Sequence, residues 1–517
     1  YQRAVLILEK VQGAQHSDLA LSLNNLAELY REQGKYSQAE PLYHRALKIF
    51  QKSLNSDHPF VAATLNNLGL LYYTQGKYSQ AEPSYQQALT ILEKVLGAEH
   101  PNTANILNNL ANLYQEQGKY SQAEPLYQRT LKIRQKALGT QHPSVAESLS
   151  NLGLLYDIQG KYTQAELLYQ QALDIREKLL GAEHPDVAQS LNNMASLYRA
   201  QGKYNQAEPL EQRALAIRKK ALGTEHQLTA ASLNNLASIY ELQGKYPPAE
   251  TLYQQSLAII EKVLGANHPK TATSLNNLAG LYYNQGKYAQ AEPLYQRSLA
   301  IRQQVLGTEH PEIAQSLNNL GALYYSQGKY AEAETALKQA SAIFEKTFGL
   351  DHPNTAQSLT NLARLYSNQG DIKQGIEFFT RALNIEEKNL ALNLGSGSET
   401  DKLAYINTFS RTTNWVVSLH LQTAPNHPAA IRLALTTILQ RKGRVLDVLA
   451  DSLQALRRNL TPENQVFLDQ LAANRAQLSS LMFNKPANLP LNEYRSGVAI
   501  LKAEIERLEG ELSRRSA

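Results

Sequence analysis

Nine histidines recur every 42 residues, from His16 through His58 and His100 to His352. Imidazole is the commonest metal ligand and proton shuttle, so a row of nine invites a metal or acid-base reading. Geometry argues against it. Zinc needs its ligands within about 2.0–2.1 Å of one ion, whereas successive units of a repeat array sit about 10 Å apart. His58-Pro59 and its equivalents read instead as helix starts. There is no cysteine, hence no thiolate nucleophile and no disulfide framework. No Ser-His-Asp set lies in the context of a strained nucleophile turn. Tyr30, Tyr36 and Tyr43 repeat with the period and read as packing, and Glu386-Glu387 reads as a solvated face. Neither metal, cofactor nor catalysis is expected of this protein.

A second polar series is harder to dismiss. Asparagine pairs recur at Asn24-Asn25, Asn66-Asn67, Asn108-Asn109, Asn192-Asn193, Asn234-Asn235, Asn276-Asn277 and Asn318-Asn319, with single members at Asn151 and Asn361. Each falls in mid-helix, where Asn is a poor former because its carboxamide competes for backbone bonds. Two readings stand side by side. The amides project into a groove and bind a partner's backbone C=O and N–H groups, or they bond across adjacent helices and set the repeat angle. Around them the sequence varies: Glu28 corresponds to Leu70, Asn112 and Leu154, and Arg31 to Tyr73, Gln115 and Asp157. This variation is expected at positions free of packing. Tyr73, Tyr283 and Tyr325 are then extra aromatics, and aromatic anchors are frequent hot spots.

The elements that must position these residues are helices. Ala20, Leu23, Leu26, Ala27 and Tyr30 recur at steps of three or four, one face of a first helix. After Gln33-Gly34-Lys35 a second run follows: Tyr36, Ala39, Tyr43, Ala46, Leu47 and Phe50. Glycine ends helix A, since a left-handed C-terminal residue carries no Cβ penalty when it is Gly. Proline after seven of the nine histidines opens the next helix A, where its missing N–H costs nothing. Pro41, Pro83 and Pro125 fall early in helix B. Small residues at Ala27, Gly69, Ala111 and Gly153 let paired helices approach. A period of this length marks a solenoid whose units bury their apolar faces only against neighbours.

The pattern L-x-N-L-A/G-x-L-Y followed by Q-G-K-Y-x-x-A-E-x-L-Y-x-x-A-L resembles the tetratricopeptide repeat, and the longer period with its G-x-x-H-P link resembles the kinesin-light-chain subfamily. The resemblance implies an all-α, right-handed superhelical solenoid of about nine helix-turn-helix repeats. Helices A would line a concave groove that holds a peptide or protein segment. The array is expected over residues 1–392, its first repeat truncated because Tyr1 aligns with Tyr43. Gly395-Ser396-Gly397-Ser398 reads as a flexible joint within a 393–400 linker. Residues 401–517 change to irregular helices, with Trp415 in a segment suited to cap the solenoid end. Thr461-Pro462 reads as a helix start, Asn484–Leu491 as a loop, and Val498, Leu501, Ile505, Leu508 and Leu512 as a coiled-coil-like seam. The run R-K-G-R-V-L-D-V-L-A-D-S-L resembles the helical segment that joins repeat arrays to a CHAT, caspase-like protease domain in bacterial proteins. That resemblance implies an effector domain downstream.

Charge restricts the partners. The protein has a formal net charge of +5, but residues 401–517 hold 15 Lys+Arg against 10 Asp+Glu, leaving 36 of each in the repeats. A neutral array lacks the basic stripe that phosphate binding requires, so no nucleic acid is expected. No apolar run approaches the roughly 18 residues that span a bilayer, and no signal peptide precedes the array, so a cytoplasmic protein is expected. Two function classes remain: a peptide-recognising scaffold, acting as the regulatory arm of an effector, or a structural spacer or oligomerisation module with no groove ligand.

Overall fold

The computed structural model describes residues 1–394, 399–458, 462–483 and 491–516. Among them every regular element is a helix. Helix A and helix B alternate as Ser17–Glu32 and Tyr36–Leu54, then Pro59–Thr74 and Tyr78–Val95, through to Pro353–Asn368 and Ile372–Asn393. Each histidine is an N-cap. His58 Nδ1 accepts from the Phe60 N–H at 3.2 Å, with Pro59 in the first turn. Gly34 sits at φ +71, and the Lys35 N–H bonds back to the Tyr30 carbonyl at 2.8 Å, closing helix A.

The two helices of a repeat meet around a buried tyrosine. Tyr43, Tyr85, Tyr127 and Tyr169 are nearly inaccessible, and a Cβ placed on Gly69 would lie 2.8 Å from the Tyr85 ring. Glycine there permits close approach. Repeats are joined by polar contacts as well as by apolar ones: the Tyr72 hydroxyl donates to Glu40 of the preceding repeat at 3.2 Å, while Lys77 lies over the Tyr72 ring at 5.7 Å.

The molecule comprises two compact units, Tyr1–Leu155 with Leu168–Leu365, and Tyr156–Leu167 with Tyr366–Ala517. In the first, contacts are not confined to neighbouring repeats, which corrects the sequence expectation. The array passes over itself 236 residues on, where His310 Nε2 reaches the Thr74 carbonyl at 3.2 Å. His268 and His352 make the corresponding contacts to the backbone of Glu32 and Glu116. Pro311 lies over Gly76, and Phe348 stacks on Tyr78 at 5.9 Å. Curvature of the superhelix, which no single repeat reveals, creates this seam.

In the second unit, helices Glu399–Thr408 and Ser410–Ser418 and the long helix Pro428–Arg458 gather about Ile372–Asn393. Glu386 and Glu387 are not a solvated face. Arg441 bonds Glu386 at 2.6 Å and Glu387 at 3.1 Å, and burial raises the Glu386 carboxyl to about 7. The Tyr405 ring covers Gly160, and Asp401 accepts from the Thr163 N–H at 3.2 Å. Helix Leu491–Ser516 packs on Pro462–Phe483, with Leu508 fully buried beside Leu471. The expected joint at residues 395–398, the Thr461 cap and the loop at 484–490 lie outside the described residues. No described helix is long and apolar enough to cross a membrane.

Candidate peptide-binding surface

The asparagines form a ladder. The second Asn of one repeat donates to the first Asn of the repeat before it: Asn109 to Asn66 at 2.8 Å, and Asn151 to Asn108, Asn277 to Asn234, Asn319 to Asn276 and Asn361 to Asn318 at 2.9 Å. Asn67 to Asn24 is longer, at 3.4 Å. Packing of adjacent A helices places these amides side by side, because a 42-residue period leaves them in register. The inter-repeat role is therefore present in the geometry. It does not exhaust the amides. A carboxamide has two donor hydrogens and two acceptor lone pairs, and one bond on each side of the ladder leaves capacity unused. Asn25, Asn67, Asn109 and most of the others are half-buried, reachable from solvent.

Between the fifth and sixth repeats the ladder gives way. Ser150 stands where a first Asn would accept from Asn193, and Gln189 donates to Asn193 at 3.0 Å instead. Asn192 turns to Glu211 at 2.8 Å, and the Asn235 amide lies near enough to favour the charged form of that carboxylate. Glu211 occupies the register of Tyr43 and Tyr169 and is fully buried, with one oxygen unpartnered among the described residues. Desolvation raises its carboxyl above the usual range, opposed by the amides and by buried Arg218. Glu211 was missed at the sequence level, yet the signal was there: the only acid in the aligned series Tyr43, Tyr85, Tyr127, Tyr169, Glu211, Tyr253, Tyr295.

The variable positions are less free than expected. Where their partners suit, they take the hydroxyl of the buried helix-B tyrosine. Tyr43 donates to Glu28 at 2.6 Å, Tyr127 to Asn112 at 2.5 Å and Tyr253 to Glu241 at 2.9 Å. Arg31 bonds Glu28 through Nε at 3.0 Å. The three extra aromatics are half-buried and share one geometry, each ring tilted over the first residue of its own helix B. Tyr73 lies 5.8 Å from Tyr78, Tyr283 5.7 Å from Tyr288 and Tyr325 6.1 Å from Tyr330. The Arg364 guanidinium lies over Tyr325 at 5.1 Å. Among the described residues no group of histidines and acids converges as a metal site would require.

Helix pairs in this register, capped and closed in this way, define a class of repeat scaffold. The tetratricopeptide-repeat family model matches overlapping windows from residue 1 to residue 388, and the protein belongs to that family. No curated protein matches it. Among solved structures it is similar to a Podosopora anserina putative kinesin light chain with nearly identical TPR-like repeats, at 32% identity over 40% of this protein and 97% of that one, with a TM-score of 0.34. It is also similar to BtubC (BKLC) from P. vanneervenii, at 26% identity over 46% of this protein and 92% of that one, TM-score 0.36. A Rap protein complexed with competence and sporulation factor aligns at 16% identity over 73% of this protein and 99% of that one, TM-score 0.49.

Proposed function

We propose that this protein is an interaction scaffold whose concave face, lined by the A helices, binds an extended protein or peptide segment. The observation that carries the reading is the row of half-buried asparagine amides with unused hydrogen-bonding capacity on one face. Such a row grips backbone groups and so supplies affinity without demanding a sequence. Tyr73, Tyr283 and Tyr325 act as local anchors, and the variable positions between them supply selectivity. The array itself does no chemistry. In a larger cytoplasmic protein it is the sensing arm of an effector, of which the tail's resemblance to CHAT-linked segments is the support. The alternative, a spacer without groove ligand, is favoured by the bonds that the ladder amides already make with one another.

Binding of a random-sequence peptide library followed by titration of a selected peptide separates the two. Each neutral hydrogen bond contributes about 0.5–1.5 kcal/mol net, so Asn193, Asn235 and Asn277 changed together to Ala should weaken the peptide by roughly 1.5–4.5 kcal/mol, if the bonds are independent. Helix content should hold, because Ala is the better helix former. A sharp fall in melting temperature with peptide affinity unchanged would assign the ladder to packing alone.

A further inference from the structure

The seam where the array passes over itself encloses a recess of about 420 Å³. Its walls come from both turns: Tyr36, Tyr73 and Tyr78 from the earlier one, Phe344 and Phe348 from the later one. These rings form a continuous set. Tyr78 lies 5.8 Å from Tyr73 and stacks 5.9 Å from Phe348, which stacks in turn on Phe344 at 6.0 Å and on His352 at 4.1 Å.

Two acids line the recess, and only one is neutralised. Glu312 meets Arg302 Nε at 3.1 Å. Glu116, the last residue of helix Pro101–Glu116, has no cation against its carboxylate among the described residues. Its side chain is exposed at the edge of the recess, and the protein around it still raises the carboxyl from its ordinary value. His310 and His352 beside it are held toward the neutral form by burial, and Arg31, which acts on Tyr36, is paired with Glu28. The recess is thus an open, aromatic-walled hollow with a carboxylate at its edge that meets no cation among the described residues. An anion would be repelled there, and a purely apolar group would draw nothing from the carboxylate. A cation meets both features, because ring faces attract cations and the carboxylate supplies the opposite charge. Its volume lies at the small end of ligand pockets, which run about 300–1,000 Å³, and suits one side group better than a second helix.

We propose that this recess is a subsite for a lysine or arginine side chain, with Glu116 as counter-charge and the Tyr73, Tyr78 and Phe348 rings as its walls. It rests on the groove reading for the rest of the segment: Gln315 lines the recess and donates to Asn319 of the ladder at 3.0 Å, so a segment held by the amides passes its edge. The subsite asks for a basic residue at one fixed place in an otherwise sequence-tolerant groove.

N-acetyl-argininamide and N-acetyl-norleucinamide, titrated into the polypeptide of residues 1–517 and followed by aromatic proton shifts, test the recess without the groove. The heptapeptides Ala₃-Arg-Ala₃ and Ala₃-Nle-Ala₃, followed by calorimetry, test both together. The arginine member of each pair should bind about tenfold more tightly, and Glu116→Gln should erase most of that advantage with an unchanged circular dichroism spectrum. Phe348→Leu should lessen it, whereas Phe60→Leu, an exposed ring outside the recess, should not. Both heptapeptides binding equally, or the preference surviving in Glu116→Gln, would overturn the subsite while leaving the groove reading intact. Preference for argininamide without any heptapeptide binding would support the recess and remove the groove.

Discussion

Glu211 replaces a tyrosine whose hydroxyl, in sister repeats, reaches back to helix A. The exchange puts a carboxylate at zero exposure with one oxygen unpartnered, a costly arrangement unless the group is protonated. Its folded-state pKa is raised, chiefly by desolvation. Stability therefore holds below the ordinary carboxylate range and is lost as pH rises through the folded value. Glu211→Gln keeps the shape and the Asn192 contact but cannot ionise. At pH 8 it should be more stable than the parent by about 1–3 kcal/mol, the usual cost of an unsatisfied buried polar group, and the gap should narrow toward pH 4. Urea unfolding at both pH values measures this; a variant no more stable at pH 8 would mean that the carboxylate is satisfied by water. The same residue draws Asn192 out of the asparagine ladder, so this acidic core position also marks where the array's amides are released from one another.

At the scale of elements, repeats follow their sequence signals closely, with histidine starting helix A and glycine ending it at every turn. The tail helix Leu491–Ser516 is a different case. Its stripe of Val498, Leu501, Ile505, Leu508 and Leu512 called for a partner without naming one, and the partner is Pro462–Phe483, whose Leu471 and Phe467 meet Leu508 and Ile505. Arg475 adds ion pairs to Glu399 and to Glu509, the latter at 2.8 Å. Leu508→Ala removes the fully buried member and should weaken this docking by about 2–5 kcal/mol. Hydrogen exchange should then lose protection over Leu491–Ser516 while the repeats keep theirs. Equal protection in parent and variant would show that the helix is held by its ion pairs instead.

For the array as a whole, the seam is the decisive feature, and it carries a pH dependence. At His310, Nδ1 accepts the Glu312 N–H at 3.1 Å, which leaves the proton on Nε2 to donate to the Thr74 carbonyl. Protonation would abolish the cap acceptor. Burial lowers His310, partly countered by Glu312 and reinforced by Arg302, and lowers His352 to about 4. Folded values below the ordinary imidazole value of about 6.5 mean that the seam is at full strength above that pH. It weakens as pH falls and is lost as His352 titrates near 4. Small-angle scattering should record an opening of the superhelix over that interval with helix content retained. His310→Asn with His352→Asn, which keeps both caps but removes both seam donors, should be open already at neutral pH. Scattering profiles that do not move with pH in the parent would rule out histidine control of the seam.

The period of 42, the capping residues and the small-residue positions determined the repeats, their helix ends and the common face of the asparagines, because all of these depend on contacts within a repeat or between adjacent ones. The partners of Glu386 and Leu508, the cover over Gly76, and the recess beside Glu116 were decided only in three dimensions. Each depends on how far the array curves before meeting itself or on how the tail folds back, and that curvature is the accumulated sum of small rotations between repeats. No local pattern encodes such a sum. A tyrosine such as Tyr73 thus has the same sequence context as Tyr283, and only the passage of Phe348 overhead makes its surroundings different.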